Sequence, residues 1–379
     1  MLFSRIVIRL ALFLGVISIG VWYFLKPSPI LPEDKYVNVY CWYGLIDQET
    51  IKEFEHETGI TVRLDSYDNN EVLEAKLLAS NSGFDVVFPS ASPYVAWQLQ
   101  AQVYQPLNKE LLPNIDNIDQ FIAKFMREID KDLSFALPYF WGTVGIVYNV
   151  DVLNKVFPDG FERDLDLLFN PEKIAKLAPY GLSLLEEGVD VFPFALLQLK
   201  LPPSSSNEKD LHLAANHLMR MRPYVKRFTS AKVVNDIVLG DTAIALAWSG
   251  EAQQAINEAK EQGKNIEFLI PPEGAILWID AVAIPKGAPH PKNAHAFINF
   301  LLQPHIAARI CKNSMHGVAV NGLQKYLPPQ VKDNASVFPD KAILKKLFLN
   351  TPPKNETQMH LERERTRIWA KIRLNKYKN

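Results

Sequence analysis

Six side chains carry the chemistry open to this chain: Trp42, Asp190, Trp248, Glu251, Trp278 and Asp280. Each stands where an apolar, β-forming run gives way to a loop signal. Carboxylates set beside indoles suit a small, flexible cation that bears more than one charge. The acids exchange water around each ammonium for charge-assisted hydrogen bonds. The rings cover the methylenes and add cation–π attraction of about 0.5–2 kcal/mol per good contact. Taken singly, a tryptophan is as readily core as pocket, and an acid more often caps a helix or faces solvent. Glu251 in particular opens a helix and gains from its dipole. The grouping at strand ends is what favours a binding cleft.

Little competes with that reading. There is no GxGxxG, P-loop, HExxH or CxxC, and Ser90 lies in PSAS rather than GxSxG. The eight histidines are scattered, and His212/His217 and His290/His295/His305 have the wrong spacings for joint metal binding. They read as surface residues, and no metal or cofactor is expected. A net charge of -1 offers no bulk basic surface to nucleic acid. A hydrolase using two of the carboxylates as acid and base is the alternative chemistry. It is less well supported, because each acid lies near an aromatic.

The elements that must position these residues alternate. Residues 35–42 (KYVNVYCW) read as a strand, and Asp47 opens a helix that Gly59 stops. Residues 60–64 are a second strand, residues 72–80 an amphipathic helix, and residues 83–89 a short apolar strand. Strand, helix, strand, helix, strand begins an open, largely parallel sheet, and ligands of such sheets sit beyond the strands' carboxyl ends. Trp42, Tyr43 and Ser90 fall there. A second lobe is expected after residues 138–142 (PYFWG), opening with a strand at 143–148. Residues 181–185 form a strand that leads to Asp190, and 242–248 form one that leads to Trp248 and Glu251. Residues 291–311 read as helical with a break near Pro304, and residues 342–349 and 361–374 as helices.

The first 30 residues have Arg5 and Arg9 ahead of an uncharged, mostly apolar run at 10–25. They read as a secretory signal or a short membrane anchor, with the remainder outside the cytoplasm. Bulky Val21, Trp22, Tyr23 and Phe24 argue against cleavage there. About 350 residues remain, enough for two lobes with their own cores. Cys41 and Cys311 permit one disulfide, the alternative being two free, buried thiols.

The segments VYCWYGLIDQETIKEFEHETGITVRLDSYDNNEVLEAKLLA, SGFDVVFPSAS, FALPYFWGTVGIVYN, NDIVLGDTAIALAWSGEAQQA and FLIPPEGAILWIDAVAIPKGAPHPKNAHAFINFLLQP carry a family likeness in their order and spacing. In them the chain resembles the periplasmic polyamine-binding proteins of ABC importers, nearest to the putrescine-binding branch. The resemblance implies an α/β, type II periplasmic-binding-protein fold, with two lobes of mixed, mostly parallel sheet flanked by helices and a ligand cleft between them. It implies first-lobe segments at 36–141 and 262–311, and second-lobe segments at 142–261 and 312–379. The implied ligand residues are Trp42, Ser90, Asp190, Ser230, Trp248, Glu251, Trp278 and Asp280, and Tyr43 is expected to refill a pocket edge that the relatives build from other residues. The implied partners are a polyamine (putrescine or spermidine) and the permease subunits of an inner-membrane importer, with the chain acting as a monomer in the periplasm. The alternatives are a membrane-tethered receptor for a polyamine or another cationic amine, and a non-binding scaffold. The chain departs from its relatives at Tyr43, Gly44 and Leu45, where Ser-Asp-Tyr is usual. It departs again at Gly317, which takes the place of a pocket tyrosine, and at Glu251, where aspartate is usual.

Overall fold

A computed structural model describes residues 35–79 and 82–375, so the membrane-end reading of residues 1–30 lies outside it. Among the described residues no helix is long and apolar enough to cross a membrane. Eleven strands form a mixed sheet. They are β1 (Tyr36–Trp42), β2 (Thr61–Tyr67), β3 (Val86–Val87), β4 (Ala136–Asn149), β5 (Leu182–Leu184), β6 (Arg227–Phe228), β7 (Ile244–Trp248), β8 (Ile266–Leu269), β9 (Ala275–Ala283), β10 (Gly317–Val318) and β11 (Leu347–Leu349). The main path runs β2-β1-β3-β9-β4-β7-β5-β6. The outer strands pair in parallel, β1 with β2 and β3, and β5 with β6 and β7. The central strands β4 and β9 run antiparallel to each other.

β4 joins the two halves of the sheet. Its residues 136–143 pair with β9, and its residues 144–149 pair with β7 and β8. The sequence places a lobe boundary after 138–142 and a new strand at 143–148, whereas the chain runs through as one 14-residue strand. Pro138, inside this strand, has no N–H to donate. The sheet accommodates it with a register shift between Pro138 and Phe140, the bulge at which a strand tolerates proline. Burial explains the rest: all of β4 but its last residue is inside, so its apolar run reads with no alternation.

Local signals set several other elements. Asp47 Oδ1 accepts from the Thr50 N–H at 2.9 Å, and the Gly59 N–H bonds Glu55 O at 2.9 Å, which fixes both ends of the helix Gln48–Thr58. Residues 342–349, expected as helix, are instead a short helix Lys341–Leu344 followed by β11, which pairs in parallel with β9. A vacant edge at the start of β9 overrides the helical pattern there. Residues 186–190, to which the strand at 181–185 was expected to lead, run into a helix, Gly188–Gln198, which contains Pro193. Pro193 cannot donate to Val189 O one turn back. That carbonyl accepts from Asn350 Nδ2 at 3.0 Å, which offsets the loss and lets the helix continue.

Cys41 and Cys311 are free, buried thiols. The surface reading of the histidines fails at His217, His290 and His295, which are buried. His217 Nε2 lies 2.7 Å from Phe169 O, His295 Nε2 accepts from the Asn108 N–H at 2.8 Å, and His290 pairs with the buried Asp85. Each imidazole ties a loop to the core, a use of histidine that spacing does not reveal.

Candidate ligand-binding site

The site is assembled where the carboxyl ends of β1, β3 and β7 meet the middle of β9. Trp278 and Asp280 are two residues apart on β9 and share a face. They sit opposite Gly142 and Phe140 of β4. Asp280 is 7 % exposed. Ser90, just past β3, bridges to it and donates Oγ–H to Asp280 Oδ1 at 2.6 Å. Asn70 holds Ser90 in turn, accepting from its N–H at 3.1 Å and donating to its Oγ at 3.0 Å. Sequence reasoning took Asn70 only as the start of a helix. Its partner Ser90 is 20 residues away, so nothing local marked it.

Burial pushes the Asp280 carboxyl up to about 7; the Ser90 hydrogen bond pulls it back, and the nearby Glu251 charge raises it again. Glu251 lies in the first turn of the helix Ser249–Glu261 and is itself raised by burial. Ser90, Asp280 and Glu251 therefore come together as the sequence expects. No lysine or arginine pairs with either acid among the described residues. Two like charges at a buried site with no cation are unfavourable unless one is protonated.

The indoles lie on the elements that carry this pair or neighbour them. Trp42 ends β1 and packs against Tyr67, ring centroids 4.6 Å apart. Tyr67, absent from the expected set, donates its hydroxyl to Phe88 O and so steadies the loop that carries Ser90. Trp248 is half-buried and immediately precedes the helix of Glu251. The Nε1–H groups of Trp42 and Trp278 have no hydrogen-bond partner among the described residues. Three glycines make room for rings here. A Cβ on Gly142 would lie 2.3 Å from Trp278 Cζ2, one on Gly250 2.3 Å from His316 Nε2, and one on Gly317 2.5 Å from Trp141 Cε2. Trp141 thus fills the space beside Gly317. Gly142→Ala is expected to displace Trp278, at about 1–3 kcal/mol of stability for overpacking, with weaker ligand binding. Chemical denaturation and titration of the same variant measure both.

Asp190 stands apart from that group. It lies in the first turn of Gly188–Gln198, half-buried, and burial pushes it up to about 7, helped by Glu187 and opposed by Arg365. Its link to the other side is Asn350, whose carbonyl accepts from Ser92 Oγ while its amide grips Val189 O. Ser230 Oγ accepts from the Glu186 N–H at 3.2 Å, which positions the turn ahead of Asp190. The helix Glu356–Arg373 backs that turn: Trp369 Nε1 donates to Glu186 O at 2.7 Å and Arg373 pairs with the Glu186 carboxylate at 3.0 Å. Tyr43 is 84 % exposed in the turn after β1.

A mixed sheet flanked by helices, with acids and indoles carried on several of its strands and on the helices that follow them, is the two-lobed fold of a solute-binding protein. The chain belongs to the bacterial extracellular solute-binding proteins, a family that matches it over residues 49–339. It is 37 % identical over 350 residues to the putrescine-binding periplasmic protein PotF of Escherichia coli K12, covering 91 % of this chain and 93 % of that one. It is 38 % identical over 350 residues to the putrescine-binding periplasmic protein SpuD of Pseudomonas aeruginosa UCBPP-PA14, with coverage of 91 % and 93 %. In fold it is similar to the spermidine/putrescine substrate-binding protein PotD of Streptococcus pneumoniae, with a TM-score of 0.80 at 23 % identity, covering 91 % of this chain and 100 % of that one.

Proposed function

We propose that the chain captures a polyamine, putrescine or spermidine, between its two lobes outside the cytoplasm and hands it unchanged to an ABC importer of the inner membrane. The observation that carries this reading is the set of Asp190, Glu251 and Asp280. All three carboxyls are raised by burial, and none is ion-paired among the described residues. A bound ammonium supplies the missing charge and returns them to the ionised form. Glu251 and Asp280 hold one end, Asp190 the other, and Trp42, Trp248 and Trp278 cover the methylenes. Ser90 orients Asp280, Ser230 sets the turn before Asp190, and Tyr43 closes over the mouth. The first lobe takes segments 36–141 and 262–311 and the second 142–261 and 312–379, with the strands shared between the sheet halves as the crossings about which they close. Residues 1–30 serve as leader or tether, and the chain works as a monomer. The names of the relatives support the choice of ligand and importer.

Calorimetric titration of the full chain with putrescine, cadaverine, spermidine and spermine tests the reading. Saturable one-to-one binding of at least one amine, recovered unchanged, is the expected result. No heat and no thermal shift with any of the four sinks it.

A further inference from the structure

We propose that Trp369, on the helix Glu356–Arg373, is a positioning residue for ligand binding: it holds the turn 186–188 in place and so sets where Asp190 meets an ammonium end of the ligand. The inference rests on the polyamine reading and adds the support that its one isolated acid needs. Trp369 is 5 % exposed. Its Nε1–H donates to Glu186 O at 2.7 Å. Its ring lies flush on the rest of the turn, since a Cβ on Gly188 would come within 2.7 Å of Trp369 Cγ. Phe192 and Phe228 meet the indole edge-on, with centroids 6.0 and 5.1 Å away. Phe192 shares a helix with Asp190, so one indole grips both the turn and the helix that follows it. The Asp190 N–H in turn donates to Glu187 O at 3.1 Å, which passes the position of the turn to the acid.

The helix that carries Trp369 is itself tied down. Arg222 donates to Ile372 O at 3.2 Å and to Arg373 O at 3.0 Å, and Arg373 reaches the Glu186 carboxylate at 3.0 Å. On its other side the Glu186 N–H donates to Ser230 Oγ at 3.2 Å. Glu186 is therefore held by its N–H, its carbonyl and its side chain, the last two by this one helix. Restraint of this kind matters where the next group must be placed accurately. A charge-assisted hydrogen bond is short and directional, and a binding group has to be kept within about 0.5 Å of its working position by the residues behind it. Asp280 has Ser90 to orient it. The Asp190 carboxyl has no such partner among the described residues, so its backbone does the placing. Burial and Glu187 push that carboxyl up, and Arg365, from the same helix as Trp369, opposes them. Sequence reading took Trp369 only as an apolar residue of a charged helix, because Glu186 is 183 residues away.

The test is a double-mutant cycle of Trp369→Phe and Asp190→Asn in the full chain, titrated with the tightest-binding of putrescine, cadaverine, spermidine and spermine. Phenylalanine keeps a ring against Gly188, Phe192 and Phe228 and removes the donor to Glu186 O. Coupled residues predict about a 5- to 50-fold loss for Trp369→Phe alone, and less than about a twofold further loss once residue 190 is asparagine. Parent-like affinity in Trp369→Phe overturns the proposal, as does an equal loss on both backgrounds, which would make the indole a packing residue. Where Asp190→Asn leaves too little binding to measure, amide hydrogen exchange of the ligand-free protein decides. Faster exchange in Trp369→Phe confined to residues 186–192 supports positioning, and exchange unchanged or raised throughout the chain overturns it. If Trp369→Phe does not fold, Arg373→Gln, which frees the Glu186 carboxylate, is held to the same comparison. An unaffected variant of a parent that binds sinks this inference alone; a parent that binds no amine brings down the polyamine reading first.

Discussion

Asp280→Asn is expected to weaken polyamine binding by about 30- to 3000-fold while leaving the ligand-free protein folded and no less stable. The binding loss follows from removing one partner of a buried, hydrogen-bonded charge pair, a change worth about 2–5 kcal/mol. The stability result follows from the free site. Asp280 is nearly sealed from solvent, shares its surroundings with Glu251 and has no cation. Its carboxyl, raised to about 7, is therefore near half-protonated at neutral pH. Asparagine is nearly isosteric, keeps an oxygen to accept from Ser90 Oγ, and removes the repulsion with Glu251. The two effects have opposite signs at one atom, which separates a ligand-binding acid from a structural one. Titration and thermal melting of the same preparation read both. Unchanged affinity would remove Asp280 from the site, and a large drop in ligand-free stability would make it structural.

The second large effect is on pH. Asp190 and Asp280 both stand raised to about 7 in the free protein, and a bound cation requires them ionised. Binding below pH 7 therefore has to expel protons. Each such group contributes up to a tenfold loss of affinity per pH unit, so two of them predict about a 100-fold fall between pH 8 and pH 6. The ligand does not cancel this, because alkyl ammonium groups of lysine-like basicity stay charged throughout that range. The stability of the ligand-free form moves the other way. These carboxyls hold their proton more tightly folded than unfolded, so their contribution is complete below the ordinary carboxylate range and is lost as pH rises through about 7. Ligand should accordingly raise the melting temperature more at pH 8 than at pH 6. Titrations across that interval give the slope. An affinity flat with pH would mean that neither acid meets the ligand. A fall of only about tenfold would assign one of them, and Asp280→Asn would show which.

Much of the framework was legible in the chain itself. The helix bounded by Asp47 and Gly59 is written in its capping residues, and Trp42, Ser90 and Trp248 could be placed at strand ends because hydrophobic runs and turn residues are local signals; Trp278 and Asp280, expected at a strand end, lie instead in the middle of β9. The hydrogen bond from Ser90 to Asp280 across 190 residues was not expected, since no local rule joins them and the resemblance named each only as a ligand residue. Where the sequence misled, a long-range partner had overridden a local preference. Pro138 is absorbed by a bulge in β4 and Pro193 by Asn350, while residues 347–349 become a strand because β9 has an edge to fill.

By itself, then, the sequence determined that this is an α/β protein with acids and indoles gathered at strand ends, because the side-chain period and the capping chemistry act over a few residues. The tertiary structure decided which of those groups meet and in what state. Asp280 and Glu251 come close enough to raise one another with no lysine or arginine paired to them among the described residues, Asp190 lies in the first turn of another helix, and the His316 imidazole sits over Gly250 with Nδ1 against Ser314 O. Burial and mutual repulsion depend on distances that only the folded chain sets, and they are what raise the acids and keep the imidazole neutral.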